Sequence, residues 1–283
     1  MLLLKGKPVA DKIRENILSA VEDCKAKGLD LPKLAIMRAG EEPDDIAYEN
    51  RIIKNCDSLG IEVKTVVVNR DIDMDEFMDI LSELNQDPKI HGILVFRPLP
   101  KQLDLDVISR AVKAVKDIDC MNPINIQKVF EGDTSGILPC TPEACIEILK
   151  YYGYDLTGKN VAIVNRSMVL GKPLSMLFLL ENSTVTICHS KTKDLPKVTR
   201  NADIVVTGVG RAKFFGNEYF SEQSVVVDVG INYEDGGLCG DVDFDSVSDK
   251  VSAITPVPGG VGTVTSMILL NNVIKAMKLQ KKG

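Results

Sequence analysis

The chain has 283 residues, 45% of them hydrophobic and 26% charged, with a formal net charge of −6. That length suits two domains of ordinary size, and the composition is that of a globular chain, which excludes intrinsic disorder. Lys and Arg are mixed among Asp and Glu without a basic stripe, so nucleic acid is not an expected partner.

A membrane is not expected either. Met1-Leu2-Leu3-Leu4 is too short for a signal-peptide core, and no later apolar run is long enough to span a bilayer. The seven cysteines, at 24, 56, 120, 140, 145, 188 and 239, contain no C-x-x-C pair. An odd number at irregular spacing reads as reduced thiols in the cytoplasm, not as a disulfide framework. With only His91 and His189 present, no His-rich metal site is expected.

In chain order, short apolar runs alternate with amphipathic stretches, the pattern of βαβ units on a mainly parallel sheet, so the expected class is α/β. The first half predicts strands at Leu34–Met37, Val63–Val68 and Ile90–Val95. Helices are expected over residues 45–59, stopped by Gly60, and over residues 75–84. The second half opens at Thr157-Gly158-Lys159-Asn160 and predicts strands at Val161–Val164, Thr184–Cys188, Ile204–Thr207 and Val225–Val229. A boundary near Tyr154 divides residues 1–154 from a Rossmann-like domain over 155–264, and a terminal segment 265–283, helical to Leu279, packs back on the first domain. No repeat at solenoid spacing is present.

After the strand ending at Val164 comes Asn165-Arg166-Ser167-Met168-Val169-Leu170-Gly171-Lys172-Pro173, then a helix expected through Leu179. A strand–turn–helix unit offers free backbone N–H groups and the positive end of a helix dipole, which suits a pyrophosphate. The G-x-G-x-x-G spacing is missing, and an ordinary βα turn without a ligand would read the same way. The next strand ends in Cys188-His189-Ser190-Lys191, with no acid until Asp194. NAD enzymes of this architecture often place Asp or Glu there for the ribose 2′-hydroxyl. A hydroxyl and a base, with the Arg166 fork of donors, favour a 2′-phosphate and hence NADP, NAD staying the alternative. A strand-end turn with no ligand role is the other reading of His189 and Ser190.

Several motifs occur in one order: Gly40…Pro43…Tyr48, Gly92-Ile93-Leu94-Val95…Pro98-Leu99-Pro100, Lys116-Asp117-Ile118-Asp119 and Pro139-Cys140-Thr141-Pro142. The turn at 165–173, Cys188-His189-Ser190, Val227-Asp228-Val229-Gly230-Ile231-Asn232, Gly240-Asp241-Val242 and Thr255-Pro256-Val257-Pro258-Gly259-Gly260-Val261-Gly262 follow. Together, over nearly the whole chain, they resemble the methylenetetrahydrofolate dehydrogenase/cyclohydrolase family. The resemblance implies two α/β domains flanking a cleft, folate on the first and dinucleotide on the second, usually in a homodimer. It implies that Tyr48 stacks on the aminobenzoyl ring and that Asp119 accepts hydrogen bonds from the pterin amino and ring N–H groups. Pro258 and Gly259 would line the same cleft, and Asn165, Arg166, Ser167, Ser190 and Ile231 would hold the cofactor.

The chain departs from that family at telling places. Bifunctional members carry Y-x-x-x-K, whose Lys does the cyclohydrolase chemistry, but the residue four after Tyr48 is Ile52. The family Gln after G-I-L-V is Phe96, the first Gly of the G-R-S turn is Asn165, and Gly-Phe after K-D-x-D is Cys120-Met121. Asn tolerates the left-handed conformation, so the turn is expected to survive. The closing G-P-M-T is Gly262-Thr263-Val264-Thr265.

Hydride transfer needs the methylene carbon held against a nicotinamide ring, and no side-chain acid or base is obligatory. Hydrolysis of the methenyl cation needs a water, a base and proton traffic, which Ile and Phe cannot supply. Lys54 lies about a third of a turn away from Tyr48 on a helix. Arg51 stays protonated and makes a poor base, and Arg97 should point to the side opposite Phe96 on a strand. The expected activity is therefore NADP-dependent oxidation of methylenetetrahydrofolate with cyclohydrolase absent or very weak. The alternatives are a fully bifunctional enzyme that also forms 10-formyltetrahydrofolate, and a folate- or dinucleotide-binding protein without activity.

Overall fold

The computed structural model describes residues 1–234 and 236–281. Its elements begin with β1 (Leu2–Leu3), α1 (Gly6–Ala26), β2 (Lys33–Ala39), α2 (Pro43–Leu59), β3 (Glu62–Val68), α3 (Met74–Gln86) and β4 (Gly92–Val95). There follow α4 (Leu105–Ala111), α5 (Pro123–Glu131), α6 (Cys140–Tyr151), β5 (Asn160–Val164), α7 (Gly171–Leu180), β6 (Thr184–Cys188), α8 (Leu195–Arg200) and β7 (Ile204–Thr207). The remainder is β8 (Val225–Asp228), β9 (Asn232–Glu234), β10 (Gly237–Cys239), α9 (Phe244–Val247), β11 (Ala253–Ile254) and α10 (Val261–Gln280). Every strand expected from an apolar run is present, and α2 stops where expected, with Gly60 at φ 72°.

The chain divides into two compact units. One consists of Met1–Lys12 and Pro139–Ile268, the other of Ile13–Leu138 and Leu269–Gly283. The division at Pro139 differs from the expected boundary near Tyr154, because α6 packs on α7 and Lys150 Nζ reaches Glu181 Oε1 at 2.6 Å. Residues 1–12, expected in the first domain, also belong with the second, since β1 pairs with β11 through Leu2↔Ala253. The last helix does join the 13–138 unit: Asn272 Nδ2 donates to Ile118 O at 3.0 Å and Gln280 Nε2 to His91 O at 2.7 Å. Residues 282 and 283 of the expected terminal segment lie outside the described residues.

In the 13–138 unit a parallel sheet of order β3-β2-β4 is covered by apolar side chains that include Met37, Phe77, Leu81, Leu84, Ile93 and Ile108. Helix α1 was not expected, although Val9, Ile13, Ile17, Val21 and Cys24 form a buried stripe at helical spacing. In the other unit six parallel strands run in the order β1-β11-β8-β7-β5-β6. Strands β7 and β8 are buried end to end, as parallel strands covered on both faces are.

Candidate active site

In an open parallel sheet, ligands gather at the carboxyl ends of the strands where the chain switches direction. In the β3-β2-β4 sheet that point lies beyond β2 and β4, and the chain puts α2 and the segment after Val95 there. Tyr48, on α2, keeps 42% of its surface exposed, and its ring centroid lies 5.3 Å from that of Phe96 with the planes tilted by 38°. The next residue, Arg97, donates from Nη2 to Asp119 Oδ2 at 2.5 Å. Tyr48, Phe96, Arg97 and Asp119 thus form one run of neighbours. Phe96 is buried and Arg97 exposed, so the two neighbours serve different partners.

Burial pushes the Asp119 carboxyl up to about 6, the neighbouring Arg97 draws it down, and Asp117 raises it again. Asp117 itself is a structural pin: it accepts from Met121 N at 3.0 Å, Asn122 N at 2.8 Å and Asn125 Nδ2 at 3.0 Å. The turn-forming role therefore falls to Asp117, which leaves Asp119 as the acidic group beside Arg97. Lys116 is spent on the end of α3, donating to Leu84 O at 3.2 Å and Asp87 O at 2.6 Å. Cys120, where the family has Gly, takes φ 56°.

Ile52 and Phe96 are both buried, whereas Arg51 and Lys54 are exposed. What orients α2 is a pair that the sequence did not announce. Arg38 Nε on β2 donates to Glu49 Oε2 at 2.6 Å, with side-chain exposures of only 10% and 9%. Arg38 Nη1 also donates to Gly40 O. Glu49 follows Tyr48, so the buried pair ties the aromatic residue to the sheet end.

The six-stranded sheet switches direction between β5 and β7, and the two loops there are joined by Asn165. Its Nδ2 donates to Gly208 O at 2.5 Å, while its Oδ1 accepts from Ser167 N at 2.8 Å, Ser167 Oγ at 2.8 Å and Gly171 N at 3.0 Å. Asn165 does not take the left-handed conformation expected of it. Its carboxamide closes the turn instead. Gly171 is required by close approach, since a Cβ there would lie 2.0 Å from Asn165 O. Ser167 is bound within the loop, and Arg166 and Ser190 are exposed. The end of β6 folds into its own turn, with His189 N donating to Thr192 Oγ1 at 2.8 Å.

Two carboxylates that the sequence showed only as motif letters organise the rest of this end. Asp228 accepts from Thr207 Oγ1 at 3.0 Å, Gly230 N at 3.0 Å and Val242 N at 2.9 Å, and burial pushes its carboxyl up to about 6. Gly240 passes so close that a Cβ would meet Asp228 Oδ2 at 1.9 Å. Asp241, fully buried, gathers the N–H groups of Val209, Gly210 and Arg211 after β7. Ile231 stands 65% exposed on this framework. Pro258 and Gly259 are exposed in the same unit, Gly259 O accepting from Gly6 N at 2.8 Å. Tyr48 and Asp119 belong to the other unit.

Residues 4–119 match the tetrahydrofolate dehydrogenase/cyclohydrolase catalytic domain, and residues 139–281 match the NAD(P)-binding domain of the same family. The chain is 53% identical over 279 residues to "Bifunctional protein FolD 1" of Desulfitobacterium hafniense, covering 98% of this chain and 99% of that one. Among solved structures, the bifunctional methylenetetrahydrofolate dehydrogenase/cyclohydrolase of Campylobacter jejuni superposes with a TM-score of 0.95 at 39% identity, covering 99% of each chain. The Trypanosoma brucei enzyme, solved with NADP and an inhibitor, gives 0.92 at 28% identity over 100% of this chain and 99% of that one. The chain is an enzyme of the tetrahydrofolate dehydrogenase/cyclohydrolase family.

Proposed function

We propose that this enzyme oxidises 5,10-methylenetetrahydrofolate to 5,10-methenyltetrahydrofolate with NADP. The observation that supports this most is the run Tyr48–Phe96–Arg97–Asp119 at a sheet switch point, in a chain of this family. In this reading Tyr48 stacks on the aminobenzoyl ring and Asp119 accepts from the pterin amino and ring N–H groups, and Pro258 and Gly259 are further residues assigned to folate binding. A C–H bond of the methylene carbon breaks, its electron pair leaves as hydride, and a nitrogen lone pair forms the new C=N bond. Bound NADP would supply the hydride acceptor. The protein's part is to hold the carbon in line and keep the groups still. Absorbance of the methenyl product separates this reading from a binding protein without activity.

The dinucleotide is assigned to the unit that holds Pro139–Ile268. Arg166 and Ser190 are exposed and would take the 2′-phosphate, and no Asp or Glu stands at the end of β6 to prefer a bare ribose. Asn165 and Ser167 act by holding the turn, and Ile231 gives the cofactor an apolar wall. Arg166→Ala should weaken NADP by roughly 1.5–3 kcal/mol, the value of a charge-assisted bond, and weaken NAD much less. Comparing kcat/KM for the two dinucleotides checks this, and a wild-type preference for NAD would overturn it.

Asp119 can accept two N–H groups only as a carboxylate. With its carboxyl near 6, kcat/KM for the folate should fall as pH drops through about 6, since protonation removes the acceptor. A profile flat to pH 4.5 would remove Asp119 from this role. The reading carries with it a homodimer acting in the cytoplasm. Among the described residues, no helix is long and apolar enough to cross a membrane. Hydrolysis of the methenyl product is not part of the proposal. The relatives named above are bifunctional and lend no support to its loss, which rests on Ile52 and Phe96 alone.

A further inference from the structure

We propose that Arg97 is a substrate-recognition residue that donates to the 4-oxo group of the pterin beside Asp119. This rests on the folate reading above. A reduced pterin presents along its pyrimidinone edge two donors, the 2-amino group and N3–H, followed by one acceptor, O4. A carboxylate only accepts and a guanidinium only donates, through five N–H groups. Arg97 Nη2 and Asp119 Oδ2 are joined at 2.5 Å, so the pair offers acceptor and donor side by side, the complement of that edge. The bond to Asp119 uses one N–H and leaves the rest of the guanidinium to point elsewhere. Its side chain is 35% exposed and that of Asp119 24%, so both are within reach of a ligand yet shielded enough for a charged bond to count. Phe96, in ring contact with Tyr48, precedes Arg97 directly in the segment after β4.

The test compares tetrahydrofolate with its 4-amino-4-deoxy counterpart as competitive inhibitors. The counterpart turns a donor toward Arg97 where the natural ligand has an acceptor, and its N3, which carries no hydrogen, no longer donates to Asp119. Wild-type enzyme should prefer the 4-oxo compound by about tenfold or more, and Arg97→Leu should narrow that preference several-fold, the part owed to N3–H and Asp119 remaining. In the same variant KM for methylenetetrahydrofolate should rise roughly 10- to 100-fold with KM for NADP unchanged, the latter showing that the protein is folded. Arg97→Lys should recover part of the loss, because an ammonium still donates.

Equal binding of the two inhibitors by wild-type enzyme overturns the inference without any variant. An equal loss of both inhibitors in Arg97→Leu also overturns it, since Arg97 would then only hold Asp119 in place. A wild-type enzyme that forms no methenyl product sinks the folate reading itself, whereas normal turnover with an indifferent Arg97→Leu sinks only this inference.

Discussion

Supplied with methylenetetrahydrofolate and NADP, the enzyme is expected to accumulate methenyl product that then decays only at the rate seen without protein. The position four after Tyr48 holds a buried isoleucine, and the residue after Val95 is a buried phenylalanine packed on the Tyr48 ring. Neither can activate water or relay a proton, and general acid–base catalysis typically contributes about 10²–10⁴-fold, so its absence is easy to read. The nearby cations are unsuited to replace it: the guanidinium of Arg97 stays protonated and makes a poor base, and Arg38 is buried against Glu49. The double change Ile52→Lys with Phe96→Gln should restore some hydrolysis, and either alone much less. Enzyme-dependent decay of methenyltetrahydrofolate in the unmutated protein, lost in Tyr48→Phe, would show that the cleft has found another base and would return the chain to the full bifunctional reading.

Glu49→Ala is expected to destabilise the 13–138 unit by about 3–5 kcal/mol, because it leaves the Arg38 guanidinium buried with its charge uncompensated. Arg38→Ala should cost about as much by stranding the carboxylate. The double change Arg38→Leu with Glu49→Leu should lie much nearer to wild type, since replacing both charges by apolar groups removes the desolvation cost along with the attraction. Denaturant unfolding followed by far-UV circular dichroism measures all three; the chain has no Trp to report by fluorescence. A Glu49→Ala protein as stable as wild type would mean that the pair contributes nothing to holding α2. If α2 does loosen, KM for the folate should rise in step, as Tyr48 adjoins Glu49.

The strands were legible because parallel strands buried on both faces read as unbroken apolar runs bounded by Gly and polar residues. The motif residues were legible as the marks of a family, and the turn at 165–173 was legible as a strand–turn–helix unit. What escaped was tertiary. Helix α1 carried a readable stripe, but β1 before it gains meaning only from β11, far along the chain. The ion pair of Arg97 with Asp119 joins residues 22 apart and could not be read from either segment alone. The part played by Asn165 was guessed from backbone tolerance, whereas its side chain closes the loop. Arg38 and Glu49 drew no notice in the sequence, being two charges among many; the structure makes them partners between β2 and α2.

The pairing of Leu2–Leu3 with Ala253–Ile254 has a consequence for how the protein is made. At roughly 5–20 residues per second on the ribosome, the edge strand must wait about 10–50 s for its neighbour to be synthesised. Residues 13–138, which form most of the other unit, emerge long before that and have every strand of their own sheet in hand. The nascent chain therefore carries a short apolar segment, Leu2-Leu3-Leu4, that has no home until Ala253–Ile254 is made, and the six-stranded sheet cannot close before then.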